Sequence, residues 1–216
     1  MKLFRREILI ASASAFFVRS LVTREASAAE DVPVSALDKA IADVGRARAS
    51  LKTMSGPFTQ ERTIGLLAAK VRSTGTLTLV RPDRLRWELA SPDDVIYWVT
   101  GEGLAYRSKR GEGHTGPGAG RLAAALDDLR TVLAGDLRQL LARYDMRVVS
   151  TDPELAFEAL PHPGTKLPVQ RITFALAADK VSPTRVEIVE GPRDKTIITF
   201  GDLKRDVVVD PASMRP

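Results

Sequence analysis

The chain has no cysteine in its 216 residues. That excludes disulfides, thiolate catalysis, thiolate-bound metals and any lipid anchor carried on a cysteine sulfur. Histidine is almost as scarce. His114 falls in a glycine-rich stretch and His162 lies between Leu160-Pro161 and Pro163-Gly164. Neither has a partner at a metal-ligand spacing, so no metal site is expected. No serine sits in a nucleophile-elbow pattern. Asp93-Asp94 and Asp127-Asp128 are adjacent pairs, which read as a turn and a helix exterior rather than as converging carboxylates. Gly111-Glu112-Gly113-His114-Thr115-Gly116 matches a dinucleotide fingerprint in letters only, because the chemistry needs a parallel βαβ unit around it. The expectation is no enzyme and no cofactor.

Long apolar runs are also missing. A membrane-spanning helix needs about 20 apolar residues, and the run from Ile8 to Val18 has 11. It follows a positive segment (Lys2, Arg5, Arg6) and precedes the small residues Ala26-Ser27-Ala28. These three parts in this order read as a cleavable signal peptide over residues 1–28, leaving 29–216 as one exported, soluble domain. Arg5-Arg6 suits a twin-arginine signal and an ordinary positive n-region equally.

A concentrated basic face is absent too. The chain carries 32 Lys and Arg against 27 Asp and Glu, a net +5. Residues 1–28 hold five of the basic residues (Lys2, Arg5, Arg6, Arg19, Arg24) and two of the acidic ones (Glu7, Glu25). The remainder, 27 basic and 25 acidic, is +2 without a basic block, so no nucleic acid partner is expected.

What is present is a change of period along the chain. Leu37, Ile41, Val44, Leu51 and Met54 form one apolar stripe and predict a helix over about 35–54, opened by Ser35 with Asp38 and ended by Ser55-Gly56-Pro57. From Phe58 the period is two. Leu77, Leu79, Leu85, Trp87 and Leu89 share a face of extended chain, with turns at Arg81-Pro82-Asp83, Ser91–Asp94 and Gly101–Gly103. Residues 109–120 read as a loop. Leu122, Leu126, Leu129, Leu133, Leu137, Leu140 and Tyr144 predict a helix or helix pair broken at Gly135-Asp136. Strand patterns resume at 146–150, 155–160, 169–176, 184–190 and 195–200. The order helix, strands, helices, strands predicts an α+β fold with one mainly antiparallel sheet.

Residues 58–106 carry a further signal. Phe58-Thr59-Gln60 follows the first helix. Then come Gly75-Thr76-Leu77 and Arg81-Pro82 with Trp87 behind them, Gly101-Glu102-Gly103, and Leu104-Ala105-Tyr106. Near the end stand Thr196–Phe200 and Asp202, and then Val207–Pro216. In order and spacing this set resembles the LolA family of periplasmic lipoprotein carriers, with Ala105 standing where the family usually has an aromatic. The resemblance implies an incomplete antiparallel half-barrel, a strongly bent sheet whose concave apolar face is covered by lid helices. It implies a periplasmic monomer that binds the acyl chains of lipoproteins, taken from an inner-membrane ABC transporter and passed to an outer-membrane receptor. It also implies that Arg81, in the arginine-proline step, hydrogen-bonds to lid backbone and governs opening. Candidates for the acyl-chain lining are Met54, Phe58, Leu77, Leu79, Leu85, Trp87, Leu89 and Trp98, each of which ordinary core packing would also explain. Two other functions suit the same pattern: a same-fold carrier of a glycolipid or fatty acyl chain, and an envelope interaction or sensor module that moves no lipid.

Overall fold

The computed structural model describes residues 34–67, 69–117 and 120–216; the expected signal peptide lies outside them. The element order is α1 (Val34–Ala47), β1 (Thr53–Ile64), β2 (Ala69–Val80), β3 (Arg84–Leu89), β4 (Val95–Thr100), β5 (Gly103–Ser108), β6 (Gly111–Thr115), α2 (Arg121–Ala134), α3 (Leu137–Leu140), β7 (Tyr144–Ser150), β8 (Leu155–Pro161), β9 (Arg171–Leu176), β10 (Pro183–Val189), β11 (Lys195–Phe200) and the two-residue β12 (Lys204–Arg205). Short 3-10 turns cover Gly65–Leu67 and Pro211–Met214.

The strands form one sheet in the order β6-β5-β4-β3-β2-β1-β11-β10-β9-β8-β7, with β12 on β1. Each pairing is antiparallel. β6 and β7 end the order without pairing to each other, so the sheet stays open. One face carries the core. Phe58, Leu77, Leu85, Trp87, Val99, Phe157, Phe174, Val186 and Ile198 are all buried on it, joined by Val44 of α1 and Leu129 and Leu133 of α2. Two apolar-striped helices thus seal one side of a long open sheet, the arrangement expected when strands alternate and only one face is dry.

Three elements depart from the sequence reading. The first helix stops at Ala47, and Gly56-Pro57 lie inside β1. Leu51 and Met54 fit a helical spacing, yet a turn followed by a strand buries both equally well, at 5% and 0% exposure. The expected loop at 109–120 contains β6, because ladder hydrogen bonds to β5 need backbone only and tolerate Gly111 and Gly113 at an edge. Tyr144 is not the last helical residue but the first of β7.

Candidate functional site

The register fixes which side chains share the concave face. Leu77 lies opposite Trp87, and Trp87 opposite Tyr97. Phe58 faces Gly75 on β2 and Phe200 on β11. Gly75 lets the Phe58 ring reach Trp87: a Cβ there would stand 2.5 Å from Phe58 Cζ and 2.1 Å from the Glu88 carbonyl oxygen. The two rings stack at 3.7 Å between centroids, and Phe200 meets Trp87 edge-on at 6.4 Å.

Beyond this aromatic wall the sheet and α2 separate. Two adjoining cavities of about 680 and 390 Å³ lie between them and share Gln60, Arg62, Ile64, Trp87, Leu122 and Leu126. Their size is that of ordinary small-molecule and lipid-tail sites. The mouth is open and mixes charged groups, Asp93, Asp94, Lys109 and Arg110 among them, with exposed apolar ones. Leu66 is 95% exposed and Leu122 50%, and Val71 and Tyr106 are exposed beside them. Exposed apolar groups gathered at a cavity mouth mark a ligand or partner surface rather than random surface leucines.

Of the lining candidates, Trp87 and Leu89 border these cavities. Met54, Phe58, Leu77, Leu79 and Leu85 are packed in the core and border neither. Trp98 is a correction. Trp87 pairs with Tyr97, so Trp98 points to the opposite face, where its indole N–H donates to the Ser213 carbonyl at 2.9 Å under the carboxy-terminal turn. The apolar run Val95–Val99 hid the parity, because both faces of β4 are covered. Other lining residues are not among the candidates: Gln60, Arg62 and Ile64 continue the Phe58 parity, and Val71 and Ser73 that of Leu77. The polarity of Gln60, Arg62 and Ser73 conceals a face that the period alone identifies.

Two arginines tie the helices down. Arg81, in the β2–β3 turn, donates through Nη1 to the carbonyl of Arg48 and to that of Leu51 at 3.2 Å, just after α1. Arg48, fully buried, turns the other way. Its Nη1 donates to Val132 and Leu133 carbonyls at 2.7 and 3.0 Å, at the carbonyl end of α2, while Nε and Nη2 donate to Val181 at 3.0 and 2.6 Å. A cation there meets the negative end of the helix dipole, gives the Leu133 carbonyl a donor and adds a second to the Val132 carbonyl, which also accepts from the Gly135 amide. Burial, with the charge of Arg81 beside it, lowers the Arg48 pKa to about 10, so it stays charged near neutrality. Gly135, at φ 80°, ends α2; a Cβ there would stand 2.6 Å from Arg48 Cδ.

A third anchor holds the opposite flank of α2. Asp128, expected on a helix exterior, is 1% exposed and accepts a hydrogen bond from the Tyr144 hydroxyl. Arg143 Nη2 lies 2.6 Å from its Oδ1, yet that oxygen has no aligned hydrogen-bond donor. Burial raises the Asp128 pKa to about 6 despite both neighbours. Of the histidines, His162 contacts Asp145 Oδ1 and the Leu141 carbonyl, both at 3.0 Å, and His114 lies exposed on β6 rather than in a loop.

The comparisons with known proteins agree with this architecture. An outer-membrane lipoprotein carrier protein of Xylella fastidiosa (strain 9a5c) is 29% identical over 175 residues, covering 77% of this chain and 78% of that protein. One of Pseudoalteromonas translucida (strain TAC 125) is 23% identical over 164 residues, covering 75% of each. An uncharacterized conserved protein from Thermus thermophilus superposes with a TM-score of 0.51 at 7% identity, over 84% of this chain and 94% of that one, a likeness of fold. The family model described as outer membrane lipoprotein carrier protein LolA matches residues 49–214, from the turn that Arg81 holds to the turn that covers Trp98. Over that span of sequence, and in the open half-barrel it folds into, the chain belongs to the LolA family.

Proposed function

We propose that this chain is a periplasmic carrier that holds the acyl chains of lipoproteins beneath α2 and takes them from the inner to the outer membrane. In this reading residues 29–216 are the working domain, an inner-membrane ABC transporter loads it and an outer-membrane receptor unloads it. The observation that carries the proposal is the pair of cavities between the sheet and α2, walled by Trp87, Leu122 and Leu126, with Leu66 and Val71 exposed at the mouth. The physics of the task matches. At about 0.8 kcal/mol per methylene, a 16-carbon chain left in water costs on the order of 12 kcal/mol, so acyl chains need a cover to cross an aqueous space. A carrier must also release them. Arg81, joined to Arg48 through its carbonyl, adds hydrogen bonds to the apolar contacts that hold the helices, and in this reading those hydrogen bonds are exchanged with water on opening.

The test is binding of acylated and deacylated forms of one lipoprotein to the purified protein. Tight binding of the acylated form alone is the expected result; equal binding of both would end the proposal. A carrier of a different amphiphile is favoured by one feature, the polar strip of Gln60, Arg62 and Ser73 along the cavity, with Arg62 exposed at its mouth. Mass spectrometry of lipid retained on the native protein separates the two.

A further inference from the structure

Arg62 stands solvent-exposed at the mouth of the cavities, a charge that a site holding only hydrocarbon does not need. It shares the concave face with Phe58 and Gln60, its register partners being Val71 and Thr196. It borders both cavities, together with Trp87, Leu122 and Leu126. Among the described residues it makes neither an ion pair nor a side-chain hydrogen bond. The neighbouring charges of the same hairpin behave differently: Glu61, on the opposite face, is matched by Lys70 at 3.1 Å and Arg72 at 3.0 Å.

Three of the four acidic groups that border the cavities are already engaged. Asp93 accepts from the Ser73 hydroxyl at 2.6 Å, Asp94 pairs with Lys109 at 2.6 Å, and Asp194 accepts from the Gly65 amide at 2.8 Å. Glu190 borders the smaller cavity, where Arg121 stands with it. Burial and the Asp93 charge raise the Tyr97 pKa, and the Arg62 charge opposes them, which puts the guanidinium within electrostatic reach of the Tyr97 side of the larger cavity. An apolar pocket with a few placed polar groups uses those groups to orient and select its ligand. A guanidinium is the group whose planar fork matches a carboxylate or a phosphate.

We propose that the cavity takes an acyl chain that bears an anionic group, carboxylate or phosphate, and that Arg62 is the counter-ion that selects it. The chain lies against Trp87, Leu122 and Leu126, and the anion stops at Arg62, beside Gln60 and Ser73. This deepens the carrier reading and rests on it.

The experiment is titration of the purified protein with three single-chain probes of equal length: palmitate, 1-palmitoyl lysophosphatidic acid and the uncharged 1-palmitoylglycerol. The expected result is at least about tenfold tighter binding of an anionic probe than of the glycerol ester, as one charge-assisted hydrogen-bonded pair provides. The tighter of the two anionic probes identifies the head as carboxylate or phosphate. Arg62→Gln removes that preference and leaves the glycerol ester unchanged, Arg62→Lys keeps part of it, and Arg72→Gln on the opposite face, which removes the same net charge, keeps all of it. Equal affinity for the three probes in the wild type overturns the inference while the carrier reading stands, as does a preference that survives Arg62→Gln. Binding of none removes both.

Discussion

Arg48 shows how much one side chain can determine here. It sits where the sequence offers only a basic residue in the run Arg46-Ala47-Arg48, yet it has no exposed surface and donates to carbonyls of Val132, Leu133 and Val181. Arg48→Met keeps the length and the apolar stem but leaves the Leu133 and Val181 carbonyls without donors, while Val132 keeps the Gly135 amide. Each buried unsatisfied acceptor costs about 1–3 kcal/mol, so urea unfolding should report a loss of about 3 kcal/mol or more. A loss below about 1 kcal/mol would mean that water replaces the guanidinium and that Arg48 is not an anchor. Lysine does not substitute, because one ammonium cannot reach both α2 and Val181 with a planar fork.

In the proposed carrier the helices are the elements that move, and each is held by a different device. α2 is held on one side by Asp128 with Tyr144 and Arg143. The folded pKa of Asp128, about 6, lies above the ordinary carboxylate value of 3.8. The fold therefore favours the protonated form. Its contribution is fully present below about pH 4 and is lost as pH rises through about 6, a change on the order of 3 kcal/mol. Asp128→Asn mimics the protonated acid. Relative to wild type it should gain up to about 3 kcal/mol in urea unfolding between pH 4 and pH 7; a difference independent of pH would contradict the assignment. At the end of α1 the hold is Arg81, through the carbonyls of Arg48 and Leu51. With Arg81→Leu, amide protection in the turn 48–51 should fall by about tenfold in native-state hydrogen exchange, while β8–β10 keep theirs. Equal losses in both would make Arg81 a general stabiliser and not a local latch.

At the scale of the whole molecule the open sheet and its helices share one core. The buried cluster runs without a break from Ala40 on α1 through Trp87 and Leu129 to Phe200 on β11, and the described residues fall in one compact unit, Val32–Pro216. Such a body unfolds cooperatively. Trp87 lies in the concave core and Trp98 under the turn on the opposite face, so tryptophan emission samples both sides of the sheet. Its unfolding midpoint should coincide with that of far-ultraviolet circular dichroism. Two separated transitions would mean that the helices or the carboxy-terminal turn detach from a sheet that remains folded.

Local pattern by itself determined the α+β order, the strand parity of Leu77, Leu85 and Trp87, and the family likeness carried by Phe58 to Tyr106. These depend on spacing along the chain, and spacing survives any packing. Tertiary structure decided the rest. Leu51 and Met54 could be buried by a helix or by a turn and strand, and only the pairing of Met54 with Leu79 chooses between them. Trp98 could face either way in an apolar run, and only its register opposite Arg86 turns it out of the cavity. Asp128 and Arg48 look like surface charges until the groups that surround them, distant in sequence, exclude water. The cavity is the fullest case. Its walls carry Gln60, Arg62 and Ser73, which a search for apolar lining passes over, because a polar residue on a concave face is legible only once the face and the helix above it are both in place.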